Sequence, residues 1–295
     1  MGEWADIRDP NVVLEDEAVL VLNKPAGLSV MGERHESDLV RLAAAAGEEL
    51  FPVHRIDKVT SGAVLLAKEL RWHGPLTRQF AGRTVGKAYL AITGPGGMPA
   101  RGVIDLPLSA GRKGRIRVAA QRASIVADDA HGTWSVPESE VFGHVRTYPS
   151  VTTFATVWQD GRHALLAVRP VTGRRHQIRV HLAWIGHPVQ GDPLFGATDA
   201  PRTLLHSWQL AFDAAWRGGS RVQAEAAPGP DFWALVAGRL PGPDPAALLA
   251  SAPEPPEPPP PAAGPGARRP PAPARQRPVG ERRRRRRPPG SPPPR

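Results

Sequence analysis

A mixed α+β domain built around a largely antiparallel sheet, followed by a disordered tail, is the fold class the sequence predicts. Three observations carry that expectation. Short β-branched runs bounded by Gly, Pro, Asn or Asp recur through the first two thirds of the chain. Helical patterns are fewer and do not alternate with these runs one for one, as a doubly wound parallel sheet would require. Beyond Leu240 the composition changes altogether.

The strand candidates, in order, are 19–22, 63–67, 84–93, 151–158, 164–168 and 204–212. The helix candidates are 38–46, with Ser37 as N-cap, then 71–81, 174–185 and 231–240. Residues 124–150 have no periodicity and read as an insertion or long loop. From Pro241 onward lie 20 of the 35 prolines, and the only long apolar side chains there are Leu248, Leu249 and Val279. So few cannot offset the entropy of ordering the segment, which divides the chain into a folded body, 1–240, and a disordered tail, 241–295.

Charge follows the same division. The tail holds 11 arginines against four acidic residues, so it carries +7 of the net +10 and the body only +3. The run Glu281 to Arg287 is a solvated polycation, either an auxiliary contact for phosphate backbones or a compositional bystander. The absence of cysteine excludes disulfides and Cys-ligated zinc and fits a reducing cytoplasm. No stretch approaches the roughly 18 apolar residues of a membrane span. Zinc held by His176 and His181 is also disfavoured, because five residues of helix put them ~140° apart around its axis.

Two segments carry chemistry. In "FPVHRIDKVTSGAVLLAK", residues 51–68, Asp57 sits in a turn between apolar runs, flanked by Arg55 and Lys58. Neighbouring positive charge keeps such a carboxylate ionised, and Thr60, Ser61 and Gly62 can donate to it and fix the turn. Local chemistry leaves two roles open, a hydrogen-bonding turn residue or a nucleophile or base. In "VRPVTGRRHQIRVHLAWIGHPVQGDPLFG", residues 168–196, a helix from Arg174 sets Ile178, Leu182 and Ile185 on one face. Arg175 and Arg179, four apart, then share another face beside His176 and could pair with a carboxylate from a different loop, Asp57 being the candidate.

His54-Arg-Ile-Asp57-Lys-Val-Thr-Ser-Gly62 resembles the "HRLDxxTSG" motif of the RluA-type pseudouridine synthases. The resemblance extends over five ordered segments between residues 14 and 212. "LEDEAVLVLNKPAGLSV" (14–30) is similar to the family's "NKPxGxxV" region, "RTVGKAYLAI" (83–92) to its "K-x-Y" strand, and "LLHSWQLAF" (204–212) to its "LHxxxLxF" strand. The 168–196 stretch follows "TGRxHQIRVHL…GHPixGDxxYG". Departures are Ile56 for the commoner Leu, Val59 where many members have Asp, and Phe195 for a frequent Tyr.

The resemblance implies a mixed, mostly antiparallel sheet with a central cleft flanked by helices and loops, and residues 1–240 as the catalytic domain. It implies isomerisation of uridine in RNA: the N-glycosidic bond breaks, the uracil turns, and it rejoins through carbon 5. No cofactor or metal is expected, since nothing is oxidised and no external group is transferred. Asp57, Tyr89 and Arg179 are then the catalytic set. Asp57 acts at the sugar as nucleophile or base, Arg179 is its partner with Arg174 as second candidate, and Tyr89 stacks on the uracil and helps remove the carbon 5 proton. Arg55 fills the gap left by the everted base, and Lys87, Arg174, His176 and Gln177 are further substrate contacts. The basic patch Arg112 to Arg117 is a possible rim contact. The expected partner is ribosomal or transfer RNA, the expected state a cytoplasmic monomer. The competing reading is a noncatalytic RNA-binding or chaperone protein that retains the fold.

Overall fold

The computed structural model describes residues 4–257 except 33–37, 112–113, 129, 197–199 and 243. Ser37, Arg112, Lys113 and the arginine run at 282–287 thus lie outside the described residues. Twelve strands form one sheet. Its first half comprises β1 (Val12–Glu15), β2 (Val19–Lys24), β3 (Phe51–Pro52), β4 (Ser61–Ala67), β5 (Gly86–Thr93) and β6 (Arg101–Asp105). A separate three-stranded sheet joins β7 (Leu108–Ala110) to β8 (Ile116–Val118) and β11 (Thr147–Tyr148). Between these last two, β9 (Val126–Asp128) and β10 (Thr133–Ser135) return to the edge of the large sheet. It is completed by β12 (Val151–Gln159), β13 (Ala164–Pro170), β14 (Leu205–Ala214) and β15 (Ser220–Glu225).

The path runs β1-β2-β4-β14-β5-β13-β12-β6-β10-β9, with β3 on β4 and β15 on β14. Among the described residues, only β14 with β4 and β10 with β6 pair in parallel. The sheet is therefore mixed and mostly antiparallel, as the sequence predicts. The 124–150 region departs from expectation: β9, β10 and β11 interrupt what reads as a loop. At three, three and two residues, they are too short for period-two alternation to register.

The helices are α1 (Trp4–Arg8), α2 (Leu39–Ala45), α3 (Leu70–Gly82), α4 (Gln177–Trp184), α5 (Pro230–Trp233) and α6 (Pro245–Ala250). Asp38, not Ser37, caps α2: its carboxylate accepts from the Arg41 N–H at 3.0 Å. Of the helix expected over 231–240, only α5 and a single 3₁₀ turn at Ala237–Arg239 form.

Strand β5 divides the core by parity. Ala88, Leu90 and Ile92 pack with Trp208, Phe232 and Trp233, while Tyr89 and Ala91 face the cluster that contains Phe154, Val168 and the Ile178, Val180 and Leu182 of α4. Helices α5 and α6 thus lie across the sheet from Tyr89. The parallel pairing of β4 with β14 spans only Ser61 and Gly62 opposite His206 and Ser207. Gly62 has φ +108°, and a Cβ there would stand 2.2 Å from the Ser207 carbonyl oxygen, so only glycine fits.

The ordered body runs past the expected boundary at residue 240. Leu249 of α6 is buried against the Trp208 cluster, and Glu254 forms an ion pair with Arg169 of β13. A proline-rich composition is a poor guide here because Asp244 caps a helix with Pro245 at its first turn, a position where proline's missing N–H costs nothing. A chain ending at Leu240 is expected to be less stable than one ending at Glu257 by roughly 1.5–3 kcal/mol, the worth of one buried leucine. Urea unfolding measures the difference, and equal midpoints would show that α6 only rests on the body.

Candidate active site

The cleft opens over the middle of the sheet, above β4, β14, β5 and β13. It is a cavity of about 560 Å³ whose lining includes Arg55, Arg83, Lys87, Arg174, Arg175 and Arg179, with Asp57 as the carboxylate among the described lining residues. A basic pocket around one acid suits a polyanion whose reacting group meets a carboxylate.

Asp57 lies in the loop from β3 to β4, and that loop is tied at several points. Ile56 is buried in the cluster of Leu20, Leu22 and Leu39, and the Thr60 N–H closes a turn on the Asp57 carbonyl at 3.0 Å. Lys24, at the end of β2, is fully buried and donates to the carbonyls of Pro25 (2.7 Å), Leu28 (2.6 Å) and Lys58 (3.4 Å). Burial brings its ammonium down to about 7, although the charge of Asp57 opposes the shift.

Arg179 stands on α4, 2% exposed, and bridges two carboxylates. Its Nη1 donates to Asp57 Oδ2 at 2.9 Å; its Nε and Nη2 donate to the two oxygens of fully buried Asp192 at 2.7 and 2.8 Å. Burial works against the guanidinium's charge, but Asp192 and then Asp57 outweigh it and raise its pKa. The plane of the fork is therefore fixed by Asp192, leaving one N–H to aim Asp57. Phe195 covers the guanidinium, 5.4 Å from ring centroid to carbon.

His176 precedes α4 with φ +55°, a left-handed conformation uncommon outside glycine. Helix α4 consequently starts at Gln177 rather than Arg174, which corrects the expected shared face: Arg179 points inward while Arg175 is exposed. His176 Nε2 lies 3.7 Å from Asp57 Oδ1. Arg174, the second candidate partner for Asp57, instead places its guanidinium over Tyr148, 5.1 Å from the ring centroid. Gln177 is buried, and its amide is spent within the protein. Its oxygen accepts from Thr172 Oγ1 (2.6 Å) and the Arg174 N–H (3.1 Å), and its nitrogen donates to the Val151 carbonyl (2.9 Å) and Thr152 Oγ1 (3.0 Å). That side chain is a strut between β12 and α4, not an available RNA contact.

Tyr89 and Lys87 share one face of β5 and line the cavity, with exposed Arg55 at its mouth. Burial pushes the Tyr89 phenol up to about 12, so its hydroxyl keeps its proton at neutral pH. Burial, with Arg83 nearby, lowers the pKa of Lys87. Arg83 itself ends α3 in a left-handed conformation, φ +60°, which turns the chain at the cavity's edge. His54, from the same motif as Asp57, is structural. Its ring stacks on Phe80 at 4.5 Å and accepts the Leu65 N–H at 3.0 Å.

Sequence reasoning missed Lys24, Arg83 and Asp192. Each lies in a segment already singled out, at Asn23-Lys24-Pro25, Arg83-Thr84 and Gly191-Asp192-Pro193. For Lys24 the available signal is a charge two residues past the apolar run 19–22, still within reach of the same strand.

A guanidinium-held carboxylate and a tyrosine thus line one cationic cleft on a mixed sheet. The family model described as RNA pseudouridylate synthase matches residues 18–184. The dual-specificity RNA pseudouridine synthase RluA of Vibrio vulnificus (strain CMCP6) is 32% identical over 231 residues, covering 72% of this chain and 82% of the relative. The tRNA pseudouridine synthase C of the same organism is 29% identical over 216 residues, covering 68% and 84%. Among solved structures, human RNA pseudouridylate synthase domain containing 4 superposes with a TM-score of 0.63 at 25% identity, covering 79% of this chain and 94% of its own. The chain belongs to the RNA pseudouridylate synthase family and, within it, to the RluA type. It is a pseudouridine synthase, an isomerase; nothing in these similarities supports the noncatalytic alternative. Among the described residues, no helix is long and apolar enough to cross a membrane.

Two outcomes follow from this geometry. Asp192→Ala removes two of the three hydrogen bonds that hold the buried Arg179 charge and leaves only Asp57 to compensate it, which is expected to cost ~3–5 kcal/mol in urea unfolding, with part of the loss recovered when Arg179→Met is added. An Asp192→Ala protein as stable as wild type would deny the bridge its structural role. The second concerns acid. Burial depresses the histidine rings, His54 to about 3 and His181 and His206 to about 4. The unfolded chain titrates near 6.5, so between about pH 4 and 6.5 it binds protons that the native chain does not. Stability should therefore fall as pH drops through that window. A Tm that stays level from pH 6.5 to 4 contradicts it.

Proposed function

We propose that this enzyme converts uridine to pseudouridine in ribosomal or transfer RNA, with Asp57 as the catalytic carboxylate, Arg179 as the group that aims it and Tyr89 as the contact for the everted uracil. One observation carries the reading: the hydrogen bond from buried Arg179 to Asp57 at the floor of a cationic cavity that Tyr89 also lines. A carboxylate so paired is held in place to deliver one oxygen to the ribose, as nucleophile at the anomeric carbon or as base for the 2′ hydrogen.

Eversion brings the reacting atoms within reach, and exposed Arg55 at the cavity mouth is placed to occupy the vacated stack with its planar guanidinium. Lys87, Arg174 and His176 complete the lining that would meet the sugar and phosphates. The relatives' names support RNA of the ribosomal or transfer class as the partner. The reading includes action as a monomer in the cytoplasm, without metal or cofactor.

The test uses RNA from cells lacking this gene, incubated with the purified wild-type or Asp57→Ala chain and mapped for pseudouridine. Wild type should introduce one or more new sites. Asp57→Ala should bind the RNA comparably yet fall in product formation by roughly 10⁴-fold or more. Equal product from both, or none from wild type, rejects the reading.

A further inference from the structure

Asp57 stands in the wall between two cavities. The second, about 300 Å³, shares Arg55, Ile56, Asp57, Arg175, His176 and Arg179 with the first. Its far side is made by Met31 and Leu194, 49% and 40% exposed. These are two of the five large hydrophobic side chains exposed among the described residues. A lone exposed apolar side chain needs no explanation, but two meeting in one recess beside the reacting carboxylate do.

Both side chains ride on fixed loops. Just before Met31 two carbonyls are held by α2, Leu39 N–H donating to Ser29 O at 2.9 Å and Val40 N–H to Val30 O at 3.3 Å, and just after it the Gly32 N–H reaches Asp38 Oδ2 at 2.9 Å. Leu194 donates its own N–H to Asp192 Oδ1 at 2.9 Å, the same carboxylate that fixes Arg179. The recess is therefore built to the same reference as the catalytic pair. Apolar side chains carried on fixed backbone, with two exposed arginines at the boundary, match an unstacked base and its phosphate.

We propose that this second cavity is a subsite for the unpaired base of a nucleotide adjacent to the target uridine, with Met31 and Leu194 as its platform. The assignment rests on the first cavity receiving the everted uridine. With the uridine there, the adjoining sugar and phosphate lie at the Arg55–Arg175 boundary, and the neighbouring base enters the recess beyond. The site would then accept RNA whose target uridine is flanked by a base free to leave its own stack, which is a basis for choosing loops over paired stems.

The probe is a fluorescein-labelled nine-nucleotide RNA with a central uridine among adenosines, compared with the same RNA abasic at the two positions next to the uridine. Binding to the full-length chain is read by anisotropy. Wild type should bind the abasic RNA roughly tenfold more weakly. A Met31→Ser/Leu194→Ser double variant, altered only at exposed side chains, should bind both RNAs alike, at the weaker affinity. A wild type that binds the two equally, or a double variant that keeps the wild-type gap, overturns the subsite. Pseudouridine formation by wild type, assayed separately, tells the failures apart. If it persists while the discrimination does not depend on Met31 and Leu194, the subsite alone is wrong; if it is absent, the premise about the first cavity has failed.

Discussion

One guanidinium holds the site together. Arg179 is shared between Asp192, which is wholly buried, and Asp57, which reaches the cleft, so the charge that positions the cleft carboxylate is itself positioned by a second acid. Buried charges cost several kcal/mol each to desolvate and are tolerated only when paired and hydrogen-bonded. Here the pairing has an anchor side and a working side. The anchor has two hydrogen bonds and no solvent exposure; the working side has one bond and a partner whose side chain is 18% exposed. The asymmetry leaves the outer oxygen of Asp57 available for chemistry without freeing its position.

The loops around this triad are fixed by polar groups more than by apolar packing. Lys24 collects three carbonyls beneath the Asp57 loop, Gln177 uses both ends of its amide to join the 170–174 turn to β12, and His181 spans Thr152 Oγ1 and the Leu106 carbonyl. Irregular backbone near a cleft has carbonyls and N–H groups that no sheet satisfies, and buried side-chain amides and amines replace the missing ladder. Preorganisation of this kind places catalytic groups before the substrate arrives.

The strands and the Asp57–Arg179 pair were legible in the sequence because each leaves a local mark. The runs at 63–67 and 164–168 are continuous and apolar, and the two charged motifs have fixed spacings. What stayed hidden depends on backbone geometry or on contacts distant in sequence. Nothing in Arg-Arg-His-Gln announces that His176 adopts φ +55°, yet that single torsion delays α4, turns Arg175 outward and leaves Arg174 to Tyr148. Asp192 looks like one more acid in a Gly-Pro turn until a helix thirteen residues away in sequence presents the fork it binds. The segment 245–250 was misread for a third reason: composition averages over a proline-rich stretch, whereas Leu249 needs only one short turn of helix to reach Trp208.

The contact at Gly62 has a mechanical meaning. Because no side chain can come between it and Ser207, two strands running in the same direction are pinned at that point, almost backbone to backbone. Five residues upstream along the chain is Asp57. The carboxylate is thus cantilevered from a clamp in the middle of the sheet, and a strain applied to β14, at its outer edge with β15, would be transmitted to the Asp57 carboxylate through a very short arm.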